Sequence, residues 1–119
     1  MKIAIVGCGF VADYYAATLP NHPELSLVGV TDRDHSRAER FAAHWHVPTV
    51  YPSTEALLKD PQVELVLNLT NPHSHFEVSK ACLEAGRHVY SEKPLATDFA
   101  RAEELVALAK ERNLSLSSA

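Results

Sequence analysis

The chain has 119 residues, 46% apolar and 22% charged, the balance of one globular domain long enough to bury a core without disulfide or metal staples. That composition excludes intrinsic disorder and collagen-like structure, and no apolar run approaches the roughly 18–20 residues that span a bilayer. Eleven basic against fifteen acidic residues leave a net charge of −4 without a basic cluster, which argues against nucleic-acid binding through a positive face.

In chain order, strand-length apolar runs alternate with helical periodicities. The opening Met-Lys-Ile-Ala-Ile-Val-Gly has neither the long apolar region nor the cleavage site of a signal peptide. Lys2–Val6 reads instead as a β-branched strand stopping at Gly7, followed by a helix over Asp13–Leu19 that Pro20 ends. Leu25–Thr31 is a second strand. A helix follows, with Ala38, Phe41, Ala42 and Trp45 at i, i+3, i+4 and i+7 forming one buried stripe. Thr49–Tyr51 is the weakest strand candidate, and Thr54–Lys59 a short helix. Glu64–Thr70 is the most apolar run, and its lack of alternation points to a strand covered on both faces, as in a parallel sheet.

The next helix carries Val78, Ala81, Cys82 and Ala85 on one stripe. Ser74 and Glu77 have capping-box spacing at its start, and Gly86 fits the residue after its end. After the strand His88–Ser91, Phe99, Ala102, Val106 and Ala109 form a third stripe, with Thr97 or Asp98 as N-cap. Leu114–Ser118 reads as a strand just begun, and so as part of a longer polypeptide. The alternation implies right-handed crossovers and a single α/β domain over residues 1–119, with a doubly wound (Rossmann) parallel sheet.

Gly7-Cys8-Gly9-Phe10-Val11-Ala12 lies directly after the first strand and has the G-x-G-x-x-A form of a dinucleotide fingerprint. Gly7 permits the tight turn, Gly9 lets backbone approach a pyrophosphate, and Ala12 keeps helix and strand close. The turn, with Phe10 and Val11 in it, opens the first helix, whose free N–H groups and partial positive charge favour phosphate. A strand-to-helix turn also uses glycine for steric reasons alone. Asp32, twenty residues after Ala12, tips the balance, because a carboxylate there can accept hydrogen bonds from ribose hydroxyls. The competing role for Asp32 is to cap the following helix, which Asp34 or Ser36 could do instead. Asp32 would repel a 2′-phosphate, which favours NAD over NADP. Arg33 and Arg37 could reach such a phosphate, or Arg33 could stack on adenine, if they are not simply solvated.

Asn71-Pro-His-Ser-His75, followed by Ala85-Gly-Arg-His-Val-Tyr-Ser-Glu-Lys-Pro94, resembles the glucose–fructose oxidoreductase/inositol dehydrogenase (Gfo/Idh/MocA) family, Glu92-Lys93-Pro94 being its most specific mark. The resemblance spans the chain but covers only that family's N-terminal cofactor domain. A C-terminal substrate domain, which often mediates oligomerisation and carries the proton-transfer Asp and His, is not part of it. The resemblance implies that Gly7, Gly9 and Ala12 hold the pyrophosphate and Asp32 the ribose. Asn71, Pro72 and His75 would lie beside the nicotinamide. Glu92, Lys93 and Pro94 would stand at the mouth of the site, with Lys93 polarising the reacting oxygen.

The expected function is therefore the NAD-binding (or NADP-binding) domain of an oxidoreductase. It would transfer hydride between nicotinamide and a sugar, cyclitol or related hydroxyl compound, in a homo-oligomeric full-length enzyme. An NAD-dependent glycoside hydrolase and a non-catalytic NAD sensor are the alternatives. With two cysteines, no disulfide framework is expected, and a reducing cytoplasm is the expected compartment. No metal site is expected, since His44 and His46, two apart on a helix, point in different directions. Cys8 reads as a small turn residue, Cys82 as core and His73 as a solvated loop residue. Tyr14 and Tyr15 cannot both be buried, and one of them is expected to face the site.

Overall fold

Runs that are apolar on both sides need cover on both faces. In the computed structural model, which describes residues 1–118, helices supply it. The elements are β1 (Lys2–Val6), α1 (Phe10–Thr18), β2 (Ser26–Thr31), α2 (His35–Trp45), β3 (Thr49–Val50) and α3 (Thr54–Leu58). They continue with β4 (Leu65–Asn68), α4 (His75–Glu84), β5 (His88–Ser91), α5 (Phe99–Glu111) and β6 (Leu116–Ser118). Short 3₁₀ turns at Leu19–Asn21 and Pro72–Ser74 follow α1 and precede α4.

All pairings are parallel, and the strand order is β3-β2-β1-β4-β5-β6. The chain therefore builds outward from β1 through β2 to β3, then returns to the other side of β1 to lay down the rest. Between β1 and β4 the winding reverses. Loops leaving the carboxyl ends of these two strands part in opposite directions and open a crevice.

Alternation along β1 divides the core. Ile3 and Ile5 pack on one face with Ala12 and Ala16 of α1 and Ala38, Phe41 and Ala42 of α2. Ala4 and Val6 pack on the other with Leu57 of α3, Cys82 and Leu83 of α4, and Leu105 and Ala109 of α5. Leu57, Leu83 and Leu105 are fully buried, each stabilising the fold by about 1.5–3 kcal/mol relative to exposure.

The structure departs from the sequence pattern in a few places. Helix α1 starts three residues earlier than its apolar pattern, directly on the glycine turn. Strands β2, β3, β4 and β6 are shorter than the runs expected for them, although backbone hydrogen bonds such as Tyr51 N–H to Val30 O and Leu69 N–H to Val6 O continue past their ends. Ser74 makes no cap hydrogen bond, so the capping box with Glu77 does not form. The preceding 3₁₀ turn leaves Ser74 in helical backbone (φ −96°, ψ −10°) rather than the extended conformation a cap requires. On α5 the buried face is Leu105 and Ala109, while Phe99 and Val106 of the expected stripe are exposed. Asp98 caps this helix, accepting a hydrogen bond from the Arg101 N–H.

At the amino end of the sheet a single guanidinium gathers two loops. Arg87 donates to the carbonyls of Val63 (2.8 Å), Leu58 (3.0 Å), Asp60 (2.8 Å) and Ala85 (2.5 Å). Planar geometry lets one side chain satisfy four acceptors at once.

Candidate functional site

The turn after β1 is shaped by its two glycines in different ways. Gly7 has φ +99° and donates its N–H to Thr31 O at 2.9 Å. A Cβ on it would stand 2.6 Å from Leu69 O and 2.8 Å from Thr70 N. Gly7 is thus wedged between the ends of β2 and β4, where no side chain fits. Gly9, the residue before α1, has an ordinary φ of −84°. A Cβ there would meet nothing within 4 Å. Its missing side chain leaves open space over the start of α1, whose first-turn N–H groups no side chain caps. Ala12 lies fully buried beneath.

Asp32 closes this turn from the side of β2. One carboxylate oxygen accepts the Cys8 N–H at 2.7 Å, and the other accepts the Asp34 N–H at 2.8 Å. The capping of α2 falls to Asp34, whose side chain accepts from the Arg37 N–H. Asp32 is therefore not the helix cap, and it lines the groove above the turn. Cys8 is buried, and its thiol sits 3.6 Å from Thr31 O. Burial, with the Asp32 charge adding to it, pushes this thiol up to about 12. The same burial holds Cys82, a core residue, at about 12.

A groove of about 950 Å³ runs across the carboxyl ends of β1, β2 and β4. Gly7, Gly9, Phe10, Val11, Asp32, Arg33, Asn71 and Pro72 line it, and Arg37 is there too. Arg33 reaches across to Ser74 Oγ at 3.4 Å. The residues fit a dinucleotide: open backbone N–H groups where phosphates need donors, and a half-buried carboxylate where ribose hydroxyls need acceptors.

His75, Glu92, Lys93 and Pro94 do not line this groove. Glu92 is half-buried, accepting a 2.5 Å hydrogen bond from the Tyr15 hydroxyl. The Lys93–Pro94 peptide is cis, and Lys93 itself is exposed. His75 departs from expectation. Its ring is 1% exposed, with Nδ1 2.6 Å from Pro94 O and Nε2 2.7 Å from Thr70 O. Such a side chain offers no surface to a ligand and ties together the two loops that follow β4 and β5.

One residue of this region escapes sequence reasoning, and a second is flagged by it without being singled out. Asn68 is fully buried, its amide donating to His75 O and Ser79 Oγ and its carbonyl accepting from Thr70. The available signal was a lone amide inside the most apolar strand, which must find partners. The other is Tyr15, half-buried where Tyr14 is exposed. It meets Glu92 from 77 positions away, and nothing local announces that contact. His44 and His46 are exposed, and no group of three His, Cys, Asp or Glu residues assembles among the described residues. Likewise, no helix of the described residues is long and apolar enough to cross a membrane.

Comparison with known proteins agrees with this geometry. A family model described as "Oxidoreductase family, NAD-binding Rossmann fold" matches residues 1–119. Mouse trans-1,2-dihydrobenzene-1,2-diol dehydrogenase is 36% identical over 121 residues, covering 100% of this chain and 36% of its own. Among solved structures, biliverdin reductase from Synechocystis sp. PCC 6803, in complex with biliverdin and NADP+, superimposes with a TM-score of 0.91 at 32% identity. That match covers 98% of this chain and 37% of the other. GenD2 from gentamicin A biosynthesis, in complex with NAD, gives a TM-score of 0.94 at 30% identity, covering 99% and 34%. The chain spans about a third of the length of these relatives. Groove, glycine turn and full-length family match lead to one assignment: the chain belongs to the Gfo/Idh/MocA oxidoreductase family and constitutes its NAD(P)-binding Rossmann domain.

Proposed function

We propose that this chain is the cofactor domain of a dehydrogenase acting on a sugar, cyclitol or related hydroxyl compound, with Lys93 as its catalytic cation. The observation that carries the reading is the groove over the glycine turn, open at Gly9 and closed at one side by Asp32. A bound nicotinamide supplies the hydride acceptor or donor. The chain's own residues do the rest. The Gly9 backbone and the start of α1 bind the pyrophosphate, and Asp32 binds the ribose. Asn71 and Pro72 bound the groove on the side of β4. Lys93 holds its ammonium toward the reacting oxygen, where a cation favours a developing alkoxide in oxidation and polarises a carbonyl in reduction.

Asp32 also sets cofactor preference. A carboxylate beside the ribose hydroxyls opposes a 2′-phosphate, so the chain favours NAD over NADP. Calorimetric titration of the chain with both cofactors tests this: NAD binds more tightly, and Asp32→Ala narrows the difference. Tighter binding of NADP by the unmodified chain would reverse the preference and transfer the role to Arg33 or Arg37, which line the same groove. Failure to bind either cofactor would overturn the function itself.

A further inference from the structure

We infer that Tyr15 is a positioning residue for the reaction: its hydroxyl pins Glu92 to α1 and thereby fixes the direction in which Lys93 leaves the end of β5. The inference rests on the dehydrogenase reading for what Lys93 does. Its own basis is geometric.

Lys93 stands between two neighbours that are each tied to a different helix. On one side the Glu92 N–H donates to Asn68 O at 3.1 Å, and its carboxylate accepts from Tyr15 Oη at 2.5 Å. On the other, the Pro94 carbonyl lies 2.6 Å from the ring of buried His75 on α4. The Lys93 side chain is exposed, and among the described residues no acceptor holds its ammonium. Its aim therefore comes from the backbone on which it sits.

Of the two ties, the Tyr15 bond is the one whose removal leaves the packing intact. The Tyr15 ring rests edge-on against Tyr90 at 6.1 Å, on the face of the sheet that α1 and α2 cover. Burial, together with the Glu92 contact, moves the Tyr15 hydroxyl well above its ordinary range, so it stays a donor at working pH. A free Glu92 carboxylate would have an adjacent cation to turn to, namely Lys93. Held on Tyr15, it leaves that ammonium available for substrate.

Phenylalanine at position 15 removes the hydroxyl and keeps the ring. In the enzyme that contains this domain, Tyr15→Phe is expected to lower kcat roughly tenfold, the scale of one hydrogen bond to a charged group. KM and the dissociation constant for NAD change little, and the melting temperature falls only by the several degrees that one lost hydrogen bond to a charged group costs. Glu92→Ala produces a similar loss, and the double variant is no worse than either single one, because both remove the same tie. A readout independent of turnover comes from ¹³C-methylated lysines in the chain, where the Lys93 resonance, assigned with Lys93→Arg, moves on Tyr15→Phe. Unchanged kcat, or losses that add in full, would overturn the inference. If no NAD-dependent turnover exists at all, the dehydrogenase reading fails and the resonance decides alone. A displaced Lys93 signal upholds the tie, and an indifferent one removes it.

Discussion

Replacing Gly7 and Gly9 by alanine, one at a time, separates the folding role of this turn from its binding role. At Gly7 the new methyl meets backbone atoms of Leu69 and Thr70 at 2.6–2.8 Å. Backbone cannot rotate away as a side chain can, and overpacking of this kind costs about 1–3 kcal/mol. The φ of +99° adds roughly 1–2 kcal/mol for an L-residue. Together these give about 2–5 kcal/mol, which for a domain of this size lowers Tm by roughly 8–20 °C. At Gly9 the same methyl enters open space with a compatible φ, so stability changes by no more than about 1 kcal/mol in either direction. It does occupy the volume over the start of α1 that the pyrophosphate needs. Affinity for NAD should therefore fall roughly ten- to hundredfold, or about 1.4–2.8 kcal/mol. Thermal melts followed by circular dichroism, with calorimetric titration of each variant, read both quantities. A Gly9→Ala variant that binds NAD as the parent does would refute the placement of phosphate at this turn. A Gly7→Ala variant that melts with the parent would refute the steric argument.

Lys93→Ala in the enzyme containing this domain should reduce kcat/KM by roughly 10²–10³ with a much smaller effect on cofactor affinity, and Lys93→Arg should rescue poorly, as steady-state kinetics and titration would show. Cys8 and Cys82 should resist iodoacetamide at pH 8 until the chain is unfolded, because each thiol is held protonated up to about 12; rapid labelling of the native chain would contradict that. The unfolded chain gives up these protons first, so both groups contribute stability below about pH 9 that is lost as pH rises from there toward about 12, which melts across that range would register. Arg87→Met should lower stability by at least about 2 kcal/mol, with Arg87→Lys restoring little, since an ammonium cannot span four carbonyls.

Much of the framework is written in local pattern. The continuous run around Val66 and Leu67 shows a strand covered on both faces, and the turn from Gly7 to Ala12 shows how the first helix begins. What local pattern cannot convey is which face of a helix the rest of the molecule selects. In α5 two apolar stripes overlap, one through Phe99, Ala102, Val106 and Ala109, the other through Leu105 and Ala109, and only packing against α4 and β6 decides between them. Ser74 has the right neighbours for a cap, but the turn begun by Pro72 sets its backbone first. His75 reads as polar and hence as available, yet two carbonyl partners from separate loops make burial tolerable. The position of Asp32 beside the turn was legible, because its spacing from the glycines is itself the signal. The choice of Tyr15 over Tyr14 was not, because its partner Glu92 lies in another crossover unit.

The Arg87 contacts make the loops at the amino end of the sheet unequal as places to alter the chain. The loops between α3 and β4 and between α4 and β5 are short and lie at the surface, the usual choice for a new terminus or an inserted peptide. Here their carbonyls are shared ligands of one cation. Opening the chain between Pro61 and Gln62, or lengthening it at Gly86, would strip acceptors from a half-buried guanidinium and uncouple both crossovers together. Circular permutation or insertion should therefore succeed more readily between Pro20 and Pro23, short of the Glu24 carbonyl that the N-terminal ammonium holds and, among the described residues, free of any cation on its own carbonyls, than in either of the loops that Arg87 holds.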